Sequence, residues 1–248
     1  MKVSIVTVCY NSAETIENTL ISVLSQSYTN IEYIIVDGQS TDTTLEIIGR
    51  YKSRLSKVIS EPDNGIYDAI NKGILLASGE LVGVLNSDDF YVNSTVIEEV
   101  VNELRRQNAD CVYGDLQYVD RQDTNIVKRN WVSGKYEHGL FFKGWMPPHP
   151  TFFIKNDCYK KYGLFNLKLK SAADYELMLR MLHLHQIKAA YLPKVLVKMR
   201  VGGKSNISLM NRIKANREDK LAWDINGIKP KFYTLLMKPL SKLGQFFS

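Results

Sequence analysis

Two adjacent carboxylates follow an apolar segment that is typical of a buried strand. Residues 81–85 lead to the pair Asp88 and Asp89, and residues 31–36 lead in the same way to Asp37. Ligands of an open α/β sheet bind beyond the carboxyl ends of its strands, so we expect these acids to share one cleft. A divalent cation takes oxygen ligands and can bridge such acids to the phosphates of a substrate. No basic phosphate-binding loop accompanies the acids, which favours such a cation as the group that binds the phosphates. The sequence therefore predicts an enzyme that acts on a nucleoside diphosphate.

Strand-like and helix-like segments alternate through the first half of the chain. Apolar, strand-like segments occur at residues 3–8, 31–36, 58–59 and 81–85. The intervening segments carry apolar residues at helical spacing, as at Ile16, Leu20, Val23 and Leu24. This alternation is typical of right-handed βαβ units, so we predict an α/β fold with a Rossmann-like, mostly parallel central sheet flanked by helices. Further helices are predicted over residues 94–107 and from Ser171 onward, and loops and edge strands over residues 114–150.

Cysteine usage and hydropathy indicate the compartment. The three cysteines match no zinc or disulfide spacing, which favours a reduced, cytoplasmic protein. The N-terminal segment is too short and too polar for a signal peptide. No segment reaches the roughly 18 apolar residues that a membrane span needs. We therefore expect no part of this sequence to cross a membrane.

The basic excess lies entirely in the C-terminal segment. Residues 204–248 contain nine Lys or Arg and three Asp or Glu, a net charge of +6, whereas residues 1–203 contain 23 of each sign. A neutral domain does not favour nucleic acid as a partner. Residues 229–247 alternate lysines with large apolar side chains, which suits an anionic surface at the inner face of the cytoplasmic membrane. The alternative is that these apolar side chains pack on the domain while the lysines stay solvated.

Five ordered motifs make the chain resemble the family 2 glycosyltransferases over roughly residues 3–200. The motifs are residues 3–11, 36–42, 65–73, 79–80 and 85–89, with the sequences VSIVTVCYN, VDGQSTD, GIYDAINKG, GE and LNSDD. The resemblance implies a GT-A fold, a nucleotide-sugar donor (a UDP-sugar first, a GDP-sugar second), Mn²⁺ or Mg²⁺, and inversion at the anomeric carbon. It also implies a GT-A domain at residues 1–203, with a nucleotide-binding half at about 1–113 and an acceptor-binding half at about 114–203. Residues 204–248 would then form a basic amphipathic tail.

The same resemblance assigns donor-side residues. Asp88 and Asp89 are expected to hold the metal, and the first position of the usual Asp-x-Asp pattern is taken here by Asn86, a weaker metal ligand than a carboxylate. The residues expected to contact the nucleotide-sugar are Thr7, Asp37, Asp68, Lys72, Asn86 and Asp88. For Asp68 and Lys72, a simple i, i+4 ion pair on a helix remains an equal alternative.

An inverting transfer needs a general base, and Asp174 occupies the matching position at the start of a late helix. Ser171-x-x-Asp174 also fits a capping box, in which Asp174 would bond to its own helix start. Trp145 and His149, in a proline-rich segment, are expected to border the acceptor pocket. The acceptor is expected to be a saccharide or lipid-linked saccharide of a bacterial surface polysaccharide or glycolipid. One sugar per acceptor is expected, because the Gln-x-x-Arg-Trp motif of processive members is absent from the sequence.

Two other functions compete with this interpretation. A nucleotidyltransferase would also place metal-binding acids on an α/β sheet, but residues 9–13 lack the Gly-rich basic loop that such enzymes carry after the first strand. A noncatalytic nucleotide- or carbohydrate-binding module would need neither a metal pair nor a base. The joint presence of Asp88, Asp89 and Asp174 argues against such a module.

Overall fold

A computed structural model of the chain describes residues 1–202, 209–235 and 237, and within them nine strands form one mixed sheet. The strands are β1 (Val3–Cys9), β2 (Ile31–Asp37), β3 (Lys57–Ser60), β4 (Leu81–Asn86), β5 (Asp89–Tyr91), β6 (Cys111–Val119), β7 (Val127–Trp131), β8 (Phe153–Lys155) and β9 (Ala189–Arg200). The α-helices are α1 (Ile16–Leu24), α2 (Thr44–Arg50), α3 (Ile66–Leu76), α4 (Val96–Gln107), α5 (Asn156–Tyr162), α6 (Ala173–Met178) and α7 (Leu209–Ile225). Three short 3₁₀ turns lie at Lys52–Arg54, Leu140–Lys143 and His149–Thr151. Helix α6 continues as a π-helix at Leu179–Leu184.

The strand order is β3-β2-β1-β4-β8-β6-β9-β5, with β7 paired to β6. The first four strands are parallel, as predicted from the βαβ alternation. Strands β6 and β9 are also parallel, but the sheet as a whole is mixed, because β5, β7 and β8 each pair antiparallel with their neighbours. Strand β5 was not expected from the sequence, since three residues are too few to show a strand period.

Two apolar clusters cover the two faces of the sheet. Successive residues of β1 point to opposite faces, so that Val6 belongs to one cluster and Ile5 to the other. All seven residues of β1 are buried, which explains its nearly continuous apolar sequence. Helix α3 packs closely on this strand because residue 73 is glycine. A Cβ atom at that position would collide with the side chain of Val6.

Helix α7 packs on the domain rather than extending from it. Ala222 and Trp223 have no exposed surface and belong to the same cluster as α6. The Trp223 indole donates a hydrogen bond to the Tyr175 hydroxyl at 3.0 Å. The boundary predicted at residue 203 therefore does not separate α7 from the packing of the domain. Residue 236 and residues 238–248 of the predicted membrane-binding segment lie outside the described residues.

Within the part of the chain that the structure describes, no helix combines the length and apolar character that crossing a membrane requires.

Candidate functional site

The carboxyl ends of three parallel strands bring the motif residues to one edge of the sheet. Cys9 at the end of β1 lies in register with Asp37 at the end of β2. On the other side of β1, Val8 lies in register with Asn86 at the end of β4. The expected convergence of the two acidic strand ends is therefore present.

The adjacent acids Asp88 and Asp89 lie in different environments. Asp88 is half-buried in the turn after β4, whereas Asp89 opens β5 and has no exposed surface. Oδ2 of Asp89 accepts a hydrogen bond from the Asn86 amide at 3.0 Å, and no donor among the described residues reaches Oδ1. Burial, and then the charge of Asp88, raise the pKa of Asp89 well above its usual range. Asp88 is therefore the accessible carboxylate, and Asp89 supports the turn from beneath.

This pair fits a divalent cation that shares its remaining ligands with a substrate. Among the described residues, no group of three or more His, Cys, Asp or Glu is arranged to hold a metal. Mg²⁺ and similar ions are commonly held by one or two carboxylates together with substrate phosphates and water. A partly exposed carboxylate beside a buried oxygen that lacks a donor is compatible with such a site.

Arg200, the last residue of β9, holds the acidic turn in place. Its guanidinium donates to the backbone carbonyl of Asp88 at 2.7 Å and to Oδ1 of Asn18 at 3.1 Å. It also lies 4.9 Å from the centre of the Phe90 ring. Burial lowers the pKa of Arg200, and the charges of Asp88 and Asp89 oppose that decrease. The contact with Asp88 spans 112 residues of sequence, so no local pattern could reveal it.

Two residues predicted to contact the nucleotide, Thr7 and Asp37, form hydrogen bonds with other residues of the protein. Thr7 lies inside β1 without exposed surface, and its hydroxyl shares a hydrogen bond with Tyr33 at 3.1 Å. Its side chain is therefore not brought to the site. The Asp37 carboxylate is also buried, and it accepts hydrogen bonds from Ser40, Ser60 and Cys9. Asp37 therefore organises its own turn, and its contact with the nucleotide-sugar stays a prediction.

Asp68 and Lys72 hold the loop before α3. Oδ2 of Asp68 accepts from the backbone N–H of Asn64 at 2.9 Å. Lys72 donates to the Pro62 carbonyl at 2.7 Å and forms an ion pair with Glu61 at 2.9 Å, whereas its distance to Asp68 is 3.9 Å. The hydrogen bond to Glu61 raises the pKa of Lys72. The i, i+4 pair is thus the weaker of the two ion pairs, and both side chains shape the loop beside the strand ends.

The predicted base, Asp174, faces this loop from the first turn of α6. Its Oδ1 accepts a hydrogen bond from the Tyr67 hydroxyl at 3.1 Å. Tyr67 stacks on Phe165 with ring centres 5.6 Å apart. Burial, and then the charge of Asp174, raise the pKa of Tyr67 well above its usual range. The Ser171 hydroxyl donates to Glu218 instead of taking part in a capping box, which favours a site role for Asp174 over a helix cap.

The two predicted acceptor residues differ in their surroundings. Burial lowers the pKa of His149 and the charge of Asp174 opposes that decrease. The imidazole lies edge-on to Phe165, with ring centres 5.4 Å apart, and Phe165 also stacks on Tyr67, the partner of Asp174. Trp145 instead donates its indole N–H to the Ser133 carbonyl at 2.7 Å and stacks on Tyr136 at 5.1 Å. His149 therefore lies near the candidate base, whereas Trp145 is engaged in an aromatic cluster.

Tyr118 lies in the same part of the sheet as Asp89. It shares one row of the sheet with Asp89, because both lie in register with Met199 of β9. The Arg129 guanidinium lies 3.9 Å from the centre of its ring. Burial raises the pKa of Tyr118, Arg129 opposes the increase, and the charges of Asp89 and Asp174 add to it. The fold therefore aligns Tyr118 of β6 with Asp89 of β5 across strand β9.

Sequence comparison establishes the family. Residues 4–164, more than half of the chain, match Glycosyl transferase family 2. The chain is a family 2 glycosyltransferase. It is similar to an uncharacterised glycosyltransferase of Mycobacterium tuberculosis, with 31% identity over 182 residues that cover 72% of this chain and 68% of the relative. Chondroitin synthase of Pasteurella multocida is 28% identical over 189 residues, which cover 75% of this glycosyltransferase and 19% of that protein.

Solved structures share the fold of this glycosyltransferase. A crystal structure of S. aureus TarS 1–349 aligns with a TM-score of 0.69 at 18% identity, covering 98% of this chain and 72% of that one. The mannosyltransferase PcManGT from Pyrobaculum calidifontis, in complex with GDP-Man and Mn²⁺, aligns with a TM-score of 0.68 at 19% identity, covering 98% and 69%. A longer TarS chain is covered over 44% of its length. These likenesses confirm the predicted GT-A, Rossmann-like α/β fold.

Proposed function

We propose that this glycosyltransferase carries out inverting transfer of one sugar from a nucleoside diphosphate sugar to a hydroxyl group of an acceptor. The observation that carries the proposal is that the fold provides two acidic centres: Asp88 and Asp89 follow β4 at the carboxyl edge of the sheet, and Asp174 accepts a hydrogen bond from Tyr67 at the start of α3. A single displacement needs carboxylates that hold a cation for the leaving diphosphate and a base for the attacking hydroxyl. Asp88 and Asp89 suit the cation, and Asp174 suits the base.

The donor is a UDP- or GDP-sugar under this proposal. Structural neighbours were solved with UDP, with UDP-GlcNAc, and with GDP-Man together with Mn²⁺. Asp88, with support from Asp89 and Asn86, would hold Mn²⁺ or Mg²⁺. The ion supplies charge neutralisation for the departing diphosphate when it is bound.

The chain's own groups divide the remaining work. Asp174 takes the proton of the acceptor hydroxyl as that oxygen attacks the anomeric carbon. Tyr67 orients Asp174 through its hydrogen bond, and Arg200 fixes the turn that presents Asp88. A buried, hydrogen-bonded frame of this kind keeps reacting groups in place, which is a large part of the rate that an enzyme achieves.

The acceptor enters beside Tyr67 under this proposal. A small surface depression lies there, lined among others by Tyr67, Asp68, Leu167 and Lys170. We propose a saccharide or lipid-linked saccharide acceptor in bacterial surface polysaccharide or glycolipid assembly. Relatives named for chondroitin synthesis and for PGL/p-HBAD biosynthesis support that setting. Attachment to an anionic membrane surface through residues 229–248 is part of the same proposal, supported by the lysines and apolar residues of that segment.

A thermal-shift panel tests the donor part of the proposal. UDP, GDP, CMP and dTDP are each added with and without Mn²⁺, because a ligand that binds only the folded state raises the melting temperature. We expect a Mn²⁺-dependent shift with UDP or GDP. A folded protein that shows no shift with any of the four contradicts the proposal and favours a noncatalytic binding module.

A further inference from the structure

Two side chains of helix α7, and that of Asn226 directly after it, contact the segment that carries the candidate base. Trp223 donates to the Tyr175 hydroxyl at 3.0 Å, and Asn226 donates to Oε1 of Glu176 at 3.1 Å. Both of these contacts reach side chains on α6. The third side chain, Glu218, reaches the backbone immediately before α6. It therefore acts on the entry to the helix rather than on its surface.

One carboxylate oxygen of Glu218 accepts four hydrogen bonds. Oε2 accepts from the backbone N–H groups of Lys170, Ser171 and Ala172 at 3.0, 2.7 and 3.1 Å. It also accepts from the Ser171 hydroxyl at 2.9 Å. Hydrogen bonds to an ionised acceptor are roughly twice as strong as those between neutral groups. A single side chain therefore fixes three consecutive residues of the backbone.

The fixed residues determine where the first turn of α6 points. Ala172 is the N-cap residue of α6, and an alanine side chain offers no oxygen to cap the helix. Asp174 lies two residues further on, and its carboxylate meets Tyr67 from α3. The charge of Glu218 also contributes to the raised pKa of Tyr67, in addition to the larger effects of burial and Asp174. Glu218 thus lies close to the pair Tyr67 and Asp174 without contacting either.

We propose that Glu218 is a positioning residue for Asp174, which makes the catalytic geometry dependent on a helix outside the region that matches the family. The proposal rests on the proposed function, because it assumes that Asp174 is the base. Displacement of a reacting group by about 1 Å can reduce turnover by about 100-fold. Loss of the Glu218 contacts therefore reduces turnover more than it reduces donor binding.

The test compares Glu218→Ala with Glu218→Gln and with the matched control Asn226→Ala. Asn226→Ala removes the contact that the residue after α7 makes with Glu176 of α6. It therefore reports the effect of weakened packing between the C-terminal segment and α6 alone. Glu218→Gln retains an oxygen that can accept the same backbone N–H groups. Donor hydrolysis and transfer are followed with UDP-GlcNAc and GDP-mannose, using whichever donor the wild-type protein turns over. Amide hydrogen exchange of residues 170–174 provides a readout that does not depend on activity.

We expect Glu218→Ala to reduce kcat by at least about 10-fold with a donor KM within about 2-fold of the wild type, and to accelerate exchange at residues 170–172. Glu218→Gln is expected to recover most of the turnover. Asn226→Ala is expected to lower the melting temperature but to keep kcat near the wild-type value. The proposal is overturned if Glu218→Ala loses no more turnover than Asn226→Ala at a temperature where both are folded, or if exchange at residues 170–172 is unchanged.

Failure of the proposed function is distinguishable from failure of this inference. A folded wild-type protein that turns over neither donor overturns the proposed function for these donors, and the positioning role with it. An active wild-type protein whose Glu218→Ala variant keeps full turnover overturns the positioning role alone.

Discussion

The hydroxyl group of Tyr67 donates a hydrogen bond to Oδ1 of Asp174 at 3.1 Å, although the two residues are 107 positions apart in the chain. Tyr67 belongs to the motif that precedes and opens α3, and Asp174 belongs to the first turn of α6. The contact joins the loop on the donor side to the candidate base. It gives the base a fixed orientation before any substrate arrives.

Removing this hydroxyl with Tyr67→Phe is expected to reduce turnover by about 10-fold while donor affinity stays within a factor of about 2. A hydrogen bond to a charged group contributes about 1.5–3 kcal/mol, and about 1.4 kcal/mol corresponds to a factor of ten in rate. The phenyl ring retains the stack on Phe165, so the melting temperature should change little. Steady-state kinetics with a donor that the wild type accepts provide the measurement. An unchanged kcat would show that Asp174 does not need this contact.

The unequal environments of Asp88 and Asp89 predict unequal effects of their amide variants. Asp88→Asn should abolish the Mn²⁺-dependent part of nucleotide binding with little effect on folding, because Asp88 is half-buried and accessible. Asp89→Asn should fold, since a neutral group is favoured at a fully buried site where the carboxyl pKa is already raised. Isothermal titration with the responding nucleotide, with and without Mn²⁺, measures the Mn²⁺-dependent binding, and thermal melting measures the folding of each variant. Equal Mn²⁺ dependence in Asp88→Asn and the wild type would exclude Asp88 as the metal ligand.

Acidification is expected to destabilise the folded protein through histidines whose pKa is lower in the folded than in the unfolded chain. Burial, and then the charge of His138, lower the pKa of His183 below its ordinary value of 6.5. Burial also lowers the pKa of His149, with partial opposition from Asp174, and the pKa of His185. The unfolded chain therefore binds more protons than the folded chain as the pH falls below 6.5, so stability decreases in that direction.

The histidine effect is tested with His183→Phe, which keeps an aromatic ring against His138, Phe142 and Trp223. Melting temperatures are compared between about pH 7.5 and about pH 5.5, on either side of the ordinary histidine pKa. The variant should lose less stability than the wild type over that interval. An identical decrease in both proteins would assign the acid sensitivity to other groups.

The sequence was sufficient for the parts of the fold that follow from local periodicity. The parallel strands β1, β2 and β4 and the convergence of their ends were predicted because each strand is a continuous apolar segment that ends in polar residues. The role of Asp37 was not predictable, because one of its partners, Ser60, lies 23 residues away on β3. The hydrogen bonds of Arg200 with Asp88 and of Glu218 with Ser171 likewise join residues that are distant in the sequence, so they follow only from the folded structure.

The C-terminal segment shows the same limit. Its charge pattern was compatible both with a membrane surface and with packing on the domain, because amphipathic helices serve either purpose. The buried Trp223 places α7 on the domain, whereas the predicted membrane-binding segment begins after this helix, at residue 229, and its membrane contact stays a prediction. Charge and hydropathy alone do not specify which apolar surface a helix covers.

The variant Asp174→Asn tests the central claim most directly, because it separates catalysis from donor binding and from folding. Asparagine can still accept a hydrogen bond from Tyr67, but it cannot take a proton from an acceptor hydroxyl. Transfer from the donor, Mn²⁺-dependent nucleotide affinity and melting temperature are measured on the same preparation. We expect a loss of at least about 100-fold in kcat, within the range for removal of a general base, with nucleotide affinity and melting temperature near the wild-type values. Full turnover by Asp174→Asn, or a loss explained by a lowered melting temperature, would contradict the account.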